Sequence, residues 1–216
     1  MKVTIVNYGL SNLLSVQHAF AHLGAETLTT GDAQDILRAD ALVLPGVGAF
    51  RDGMAGLDRL GLVEPLQQKA QSGTPLLGIC LGMQMLFDES EEFGHYAGLG
   101  LIPGRVVRLP DTAADGTPQR VPHVNWDPLL PAGGRTDFSG TPLALLHPGE
   151  ECYFIHSYEA KPANDADRLA DTRYGGRPVC AAAMRGSVLG CQFHPEKSGD
   201  VGLRILQQFL QMRYNG

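Results

Sequence analysis

The sequence has no excess of positive charge, no paired-cysteine motif and no long apolar run. Its formal net charge is −6, which argues against a nucleic-acid-binding face and leaves small-molecule chemistry open. The basic residues Arg105, Arg108, Lys197, Arg204 and Arg213 are scattered or at most loosely paired, as on a solvated surface. The four cysteines, Cys80, Cys152, Cys180 and Cys191, show neither CxxC spacing nor histidine spacing suited to zinc. No metal is therefore expected, and the thiols read as reduced, in a cytoplasmic protein without membrane or nucleic-acid partners. The opening run Val3-Thr4-Ile5-Val6 is too short for a signal peptide or a membrane span, and reads as a first strand. Internal repeats and low-complexity tracts are absent too. What is present is an ordinary globular balance, 44% apolar and 19% charged, over 216 residues. That suits a single domain, 1–216, with one sizeable core.

The first half alternates strands with helices. Strands are expected at Lys2 to Asn7, Ala25 to Thr29, Ala39 to Leu44 and Pro75 to Ile79. The last two are almost wholly apolar, as parallel strands covered on both faces must be. Helices are expected at Ser11 to Leu23, with Ser11 or Asn12 as N-cap, and at Met54 to Leu60, Leu62 to Ser72 and Gly82 to Asp88. This rhythm implies an α/β fold with a central, mostly parallel sheet between helices. Later β-rich runs at Gly104 to Leu109, Cys152 to Glu159, Arg168 to Arg173, Val179 to Met184 and Val188 to Phe193 suggest a mixed edge on the same sheet. A helix from Gly202 to Met212 follows. The polar stretches Pro110 to Gln119 and Pro131 to Pro142 read as mobile loops.

The strongest chemical signal is Gly78-Ile79-Cys80-Leu81-Gly82. A buried strand ends, a glycine-flanked residue follows and a helix begins, which is a nucleophile elbow with cysteine in place of serine. The sharp turn exposes the sulfur, and the helix N-terminus favours a thiolate. The alternative is a buried cysteine at a tight turn. Such a nucleophile needs a base and an orienting acid. His194 in Cys191-Gln192-Phe193-His194-Pro195-Glu196 leaves the end of a strand, where active sites of open α/β sheets gather. Glu196 is two residues on, so both side chains can leave the same side of an extended segment. His156 is the second candidate base, or a pocket wall. An oxyanion hole is expected from the Leu81 N–H and from the loop Leu44-Pro45-Gly46-Val47-Gly48, through Val47 or Gly48.

Gly-Ile-Cys-Leu-Gly-Met-Gln and Phe-His-Pro-Glu on one α/β frame resemble the class I (triad) glutamine amidotransferases. The likeness covers essentially the whole chain. Asn7-Tyr8-Gly9-Leu10-Ser11-Asn12-Leu13, Pro45-Gly46-Val47-Gly48-Ala49-Phe50, Pro122-His123-Val124-Asn125-Trp126 and Tyr153-Phe154-Ile155-His156-Ser157-Tyr158 are most similar to the glutaminase subunits of imidazole glycerol phosphate synthases, in histidine biosynthesis. So is Gln192-Phe193-His194-Pro195-Glu196-Lys197-Ser198. The resemblance implies a flavodoxin-like amidotransferase domain and a Cys80–His194–Glu196 triad that makes glutamate and ammonia through a Cys80 thioester. Gln84 and Glu92 would hold the amino-acid end of glutamine, with backbone contacts from Ser157 and Tyr158. It implies no cofactor, and a heterodimer with a (β/α)8-barrel cyclase subunit that would use the ammonia. Asn12, His123, Trp126 and Lys197 would carry the partner interface and activation. The chain departs from the family pattern at Asn125 and Asp127, where Gly and Asn commonly flank the Trp, and at Asn7, commonly acidic. Other readings on the same scaffold are an amidotransferase of pyridoxal phosphate, anthranilate or guanylate synthesis, a non-catalytic regulatory module, and a stand-alone cysteine hydrolase.

Overall fold

Successive strand residues point to opposite faces of a sheet, and the apolar strands of this chain bury both. A computed structural model describes residues 2–10 and 12–212. In chain order the elements of the first half are β1 (Lys2–Val6), α1 (Leu13–His22), β2 (Glu26–Thr30), α2 (Ala33–Leu37), β3 (Ala41–Gly46), α3 (Phe50–Arg59), α4 (Val63–Gln71), β4 (Leu76–Cys80) and α5 (Leu81–Met85). There follow β5 (Phe87–Ser90), β6 (Tyr96–Ala97), β7 (Ile102–Arg108), β8 (His123–Pro128), β9 (Leu130–Pro131), β10 (Glu151–His156) and β11 (Tyr158–Pro162). The chain closes with β12 (Arg168–Tyr174), β13 (Arg177–Arg185), β14 (Val188–Cys191) and α6 (Gly199–Gln211).

The main sheet has the order β2-β1-β3-β4-β14-β13-β12-β9. Its first five strands are parallel, in the flavodoxin-like arrangement, and β13, β12 and β9 add an antiparallel edge. Val3, Ile5, Ala41, Val43, Leu77 and Ile79 face one apolar cluster with α1 and α6. Their neighbours Val6, Leu42, Leu44 and Leu76 face a second cluster, built with α2, α3, α4 and α5. The expected parallel sheet with helices on both sides and a mixed edge is thus present.

Several expectations are corrected. Gly104 to Leu109 and Cys152 to Glu159 do not extend the main sheet. The second run breaks at Ser157 into β10, which pairs with β8 in a two-stranded ribbon, and β11, which joins β7, β5 and β6 in a separate sheet. The helix expected over Gly82 to Asp88 ends at Met85 and gives way to β5, which pairs with β7 through a register shift between Phe87 and Glu89 that leaves both Phe87 and Ser90 buried. The short helix α2 lacks an apolar period but has a cap: Asp32 accepts from the N–H groups of Gln34 and Asp35. Asn12 is the N-cap of α1 without a side-chain cap bond, and Ser11 lies outside the described residues. The segment Pro110 to Gln119 is tethered, not loose: Arg177 donates to the Thr112 and Ala113 carbonyls, and the Ala114 N–H to Gly175. The segment Pro131 to Pro142 is anchored by the buried ring of Phe138. Among the described residues no helix is long and apolar enough to cross a membrane.

α1 and α6 lock together through Phe20 and Phe209, fully buried, with ring centroids 6.2 Å apart edge to face. Phe209→Ala is expected to lower unfolding free energy by about 3–5 kcal/mol. Leu14→Ala, on a side chain 61% exposed, should change it by less than about 0.5 kcal/mol. Urea unfolding of both variants checks the contrast.

Candidate active site

The backbone turns sharply where β4 becomes α5. Cys80 sits there at φ 55°, ψ −109°, a conformation that costs a non-glycine residue about 1–3 kcal/mol. Its two flanking glycines make the turn possible by leaving space. A Cβ on Gly78 would stand 2.7 Å from the Gly82 carbonyl oxygen, and one on Gly82 only 1.7 Å from that of Leu44. The turn is therefore pressed against β3, with the sulfur at the carboxyl edge of the parallel strands.

β14 runs parallel to β4 in the register Cys191↔Ile79, so the chain leaving β14 arrives beside the Cys80 turn. His194 is fixed there by its backbone. Its N–H donates to the Tyr153 carbonyl (3.0 Å). Its carbonyl accepts from Ser198 Oγ (2.7 Å), and the same hydroxyl accepts from the Tyr153 N–H (3.0 Å). The ring Nδ1 lies 2.8 Å from Glu196 Oε1, so Nδ1–H donates to the carboxylate. Nε2 is buried and has no hydrogen-bond partner among the described residues. Burial alone would disfavour an imidazolium at His194. The Cys80 sulfur and the Glu196 carboxylate together outweigh it and hold the ring up at about 9.

Cys80 and His194 line one cleft of about 300 Å³. The cleft also brings together Val47, Gly48, Leu81, Gln84, Glu92, Ser157 and Tyr158. Glu196 stands behind His194. Gln84 commits its amide nitrogen inward, to the Tyr158 carbonyl and to Gln192 Oε1, each at 3.0 Å. Glu92 Oε2 accepts from the Phe50 N–H at 2.6 Å, and burial holds its carboxyl above the usual range. The loop after β3 is clamped by Tyr8, whose hydroxyl donates to the Pro45 carbonyl (2.8 Å). Gly48 has φ +103°, open to glycine alone at low cost. The Val47 N–H donates to the Leu10 carbonyl at 3.1 Å.

His156 also lines the cleft. Its Nδ1 is 2.8 Å from the Tyr158 carbonyl, which can only accept, and burial pushes the ring down to about 3. A neutral ring with its proton so engaged is a wall and not a base. Of the residues expected at an interface, Trp126 and Lys197 are exposed and Asn12 is half-buried. His123 is fully buried, so it cannot itself touch a partner. Three contributors escaped the sequence reading. Gln192 donates to the Cys80 sulfur (3.8 Å), the Ile155 carbonyl lies 3.8 Å from it, and Pro122 lines the cleft. Gln192 had a signal, since it is two residues before His194 on the same extended segment. Ile155 contributes only backbone, which side-chain chemistry does not reveal.

Burial pushes Cys152 and Cys180 up to about 12 each, and Cys191 well above the ordinary range. Iodoacetamide should therefore label Cys80 first in the folded protein, and the other three only after unfolding, as followed by mass spectrometry. His156 yields a pH dependence of stability. Its folded value lies below the unfolded one, so the unfolded chain binds the extra proton between pH about 6.5 and about 3. Its stabilising contribution is full above pH about 6.5 and is lost as pH falls through that window. His156→Gln should flatten the fall in unfolding free energy by up to about 1.4 kcal/mol per pH unit, read from urea unfolding between pH 6 and 4.5.

Comparison with known proteins bears on this geometry. The family described as glutamine amidotransferase class-I matches residues 4–212. Imidazole glycerol phosphate synthase subunit HisH 1 of Legionella pneumophila (strain Lens) is 49% identical over 210 residues, 97% of this chain and 99% of that protein. Subunit HisH of Syntrophotalea carbinolica is 49% identical over 211 residues, 97% and 100%. That of Geobacillus thermodenitrificans is 45% identical over 208 residues, 96% and 94%. A glutamine amidotransferase crystal structure superposes with TM-score 0.71 at 21% identity, over 96% of this chain and 97% of that one. PurLQS from Thermotoga maritima does so with TM-score 0.71 at 19% identity, over 97% of each. Those two likenesses speak to the fold, and the near full-length matches speak to descent: the chain belongs to the class I glutamine amidotransferases.

Proposed function

We propose that the chain is the glutaminase subunit of an imidazole glycerol phosphate synthase, and that it supplies ammonia to a cyclase partner. The observation that carries this reading is the meeting of the strained Cys80 turn and the His194–Glu196 pair in one cleft, within a chain so similar to the HisH subunits. In this reading Cys80 thiolate attacks the carboxamide carbon of glutamine and forms a C–S bond. The oxyanion is held by the Leu81 N–H and by an N–H of the loop at Val47 and Gly48. His194, charged below pH about 9, gives its proton to the departing nitrogen, and ammonia leaves. Water then attacks the thioester while neutral His194 takes its proton. The C–S bond breaks, glutamate departs, and the thiolate and imidazolium are restored. Glu196 holds the imidazole tautomer and stabilises its charge. Gln84, Glu92 and the Ser157–Tyr158 turn line the end of the cleft suited to the amino-acid group.

The partner reading is supported by the outer face of the β8–β10 ribbon. Val124, Trp126 and Ile155 are 51%, 46% and 41% exposed, and they pair across the ribbon with Trp126 set against Tyr153. An aromatic anchor within exposed apolar surface is what a partner would cover. A (β/α)8-barrel cyclase subunit is the partner the family likeness suggests, with Asn12 and Lys197 as further contacts. The loop geometry supports a resting state. With the Val47 N–H given to Leu10, the oxyanion hole lacks a donor whose loss typically costs about 100- to 1000-fold in rate. A partner that favours the rotated peptide would restore it.

Glutamine hydrolysis is to be measured for the chain alone, with the cyclase, and with the cyclase plus its nucleotide substrate. The rate should rise about 100-fold or more across the three. Cys80→Ala should abolish glutamine-dependent turnover and leave turnover with ammonium salt intact. Equal rates in all three conditions would refute the switch, and an active Cys80→Ala would refute the nucleophile.

A further inference from the structure

β10 pairs with β8 along one edge. Its other edge meets the reacting groups, since alternate residues of an antiparallel strand turn their backbone groups to the same side. Ile155 brings its carbonyl to 3.8 Å from the Cys80 sulfur. Tyr153, two residues earlier, meets His194, whose N–H donates to the Tyr153 carbonyl (3.0 Å). In a regular antiparallel pair the Tyr153 N–H would return a bond to the His194 carbonyl. Here it donates to Ser198 Oγ (3.0 Å), and that hydroxyl donates to the His194 carbonyl (2.7 Å). A single buried oxygen is inserted into a reciprocal strand pair and completes it.

Glu196 orients the imidazole but does not decide where it stands. It lies on the short turn Pro195–Lys197 that directly follows His194, so the bond between Nδ1 and Glu196 Oε1 (2.8 Å) travels with the ring. The Lys197 N–H also donates to the His194 carbonyl (3.0 Å), again from within that turn. The pairing of β14 with β4 ends at Cys191↔Ile79, and Cys80 and His194 lie just beyond it on diverging segments. Past that point β10 is the strand that meets both: beside the sulfur at Ile155, and bonded to His194 through Tyr153.

We propose that Ser198 is a positioning residue for glutamine hydrolysis: its hydroxyl completes the tie from Tyr153 to His194 and so sets where the imidazole stands relative to the Cys80 sulfur. This rests on the glutaminase reading above. Without the hydroxyl the Tyr153 N–H is a donor without its acceptor, and the His194 carbonyl loses its link to β10. The gap that the oxygen spanned then closes to a direct strand bond or opens. In either case His194 shifts against β10, and therefore against Cys80, while it keeps its bond to Glu196. Gln84, Glu92 and the Ser157–Tyr158 turn are not part of the tie, so the loss falls on the chemical step and not on the binding of glutamine.

Ser198→Ala removes the oxygen. Ser198→Cys keeps the packing and puts a weak donor in its place, which serves if Ser198→Ala does not fold. Steady-state glutamine hydrolysis by the subunit–cyclase complex should show kcat lowered about 10- to 100-fold in the folded variant, with KM within about threefold of wild type. A second readout needs no glutamine. Burial pulls the His194 ring down, and Cys80 and Glu196 outweigh it and hold the ring up at about 9; the neighbouring His156 is neutral there. Proton NMR of the full chain, with the His194 signal identified by its loss in His194→Gln, should show that midpoint lowered by about one pH unit in the same variant, because the sulfur's influence weakens and that of Glu196 is kept. A kcat within about twofold of wild type in a folded variant, a loss that falls on KM, or an unmoved His194 midpoint overturns the proposal. If wild type hydrolysed no glutamine, the glutaminase reading would fall, while the midpoint would still decide whether Ser198 places His194 against Cys80.

Discussion

There is no room for a Cβ where Gly82 meets the Leu44 carbonyl, and most of the site follows from that contact. It lets β4 end against β3 in a turn that a non-glycine residue, Cys80, completes at positive φ. α5 then starts at the carboxyl edge of the sheet and carries Gln84 across to the Tyr158 carbonyl. That bond ties the main sheet to β11, which belongs to a different sheet. A single close approach between two backbones thus sets the sulfur, the first turn of the helix and the far wall of the cleft. The strain is offset by burial, since every residue of β4 and α5 is buried.

The parallel core was legible in the sequence because burial on both faces leaves a simple mark. Ala41 to Leu44 and Leu76 to Ile79 are nearly unbroken apolar runs. The Cys80 elbow and the His194–Glu196 pair were legible because each is local: glycines two residues away, a glutamate two residues on. The ribbon and the small sheet were not. Cys152 to Glu159 has strand composition throughout, yet Ser157 divides it between two sheets. That division comes from tertiary pairing, β10 with β8 and β11 with β7, which a single segment does not encode. Helix α2 was missed for the opposite reason. Only Ile36 is buried in it, too little to make a period, and its signal was the Asp32 cap.

His123 and Trp126 are three residues apart and lead opposite lives. In β8 their side chains point to different surroundings, one fully buried and one 46% exposed. The likeness to known families groups them in one motif, and the geometry assigns them different physics. Trp126 offers area to the outside. His123 turns inward, stacked between Phe154 and Tyr174, with each ring nitrogen in a hydrogen bond.

β10 is also the partition between the cleft and the outside. The Ile155 carbonyl faces the Cys80 sulfur, while its side chain is 41% exposed next to Val124. Two residues earlier, Tyr153 holds the His194 N–H on its carbonyl and sets its ring at a tilt 6.0 Å from that of Trp126. The barrier between reacting groups and surroundings is therefore a single strand thick. A body resting on the ribbon bears on the same peptides that aim the imidazole. Those peptides reach the reacting groups by direct contact, the Tyr153 carbonyl at the His194 N–H and the Ile155 carbonyl beside the sulfur, with no further element between.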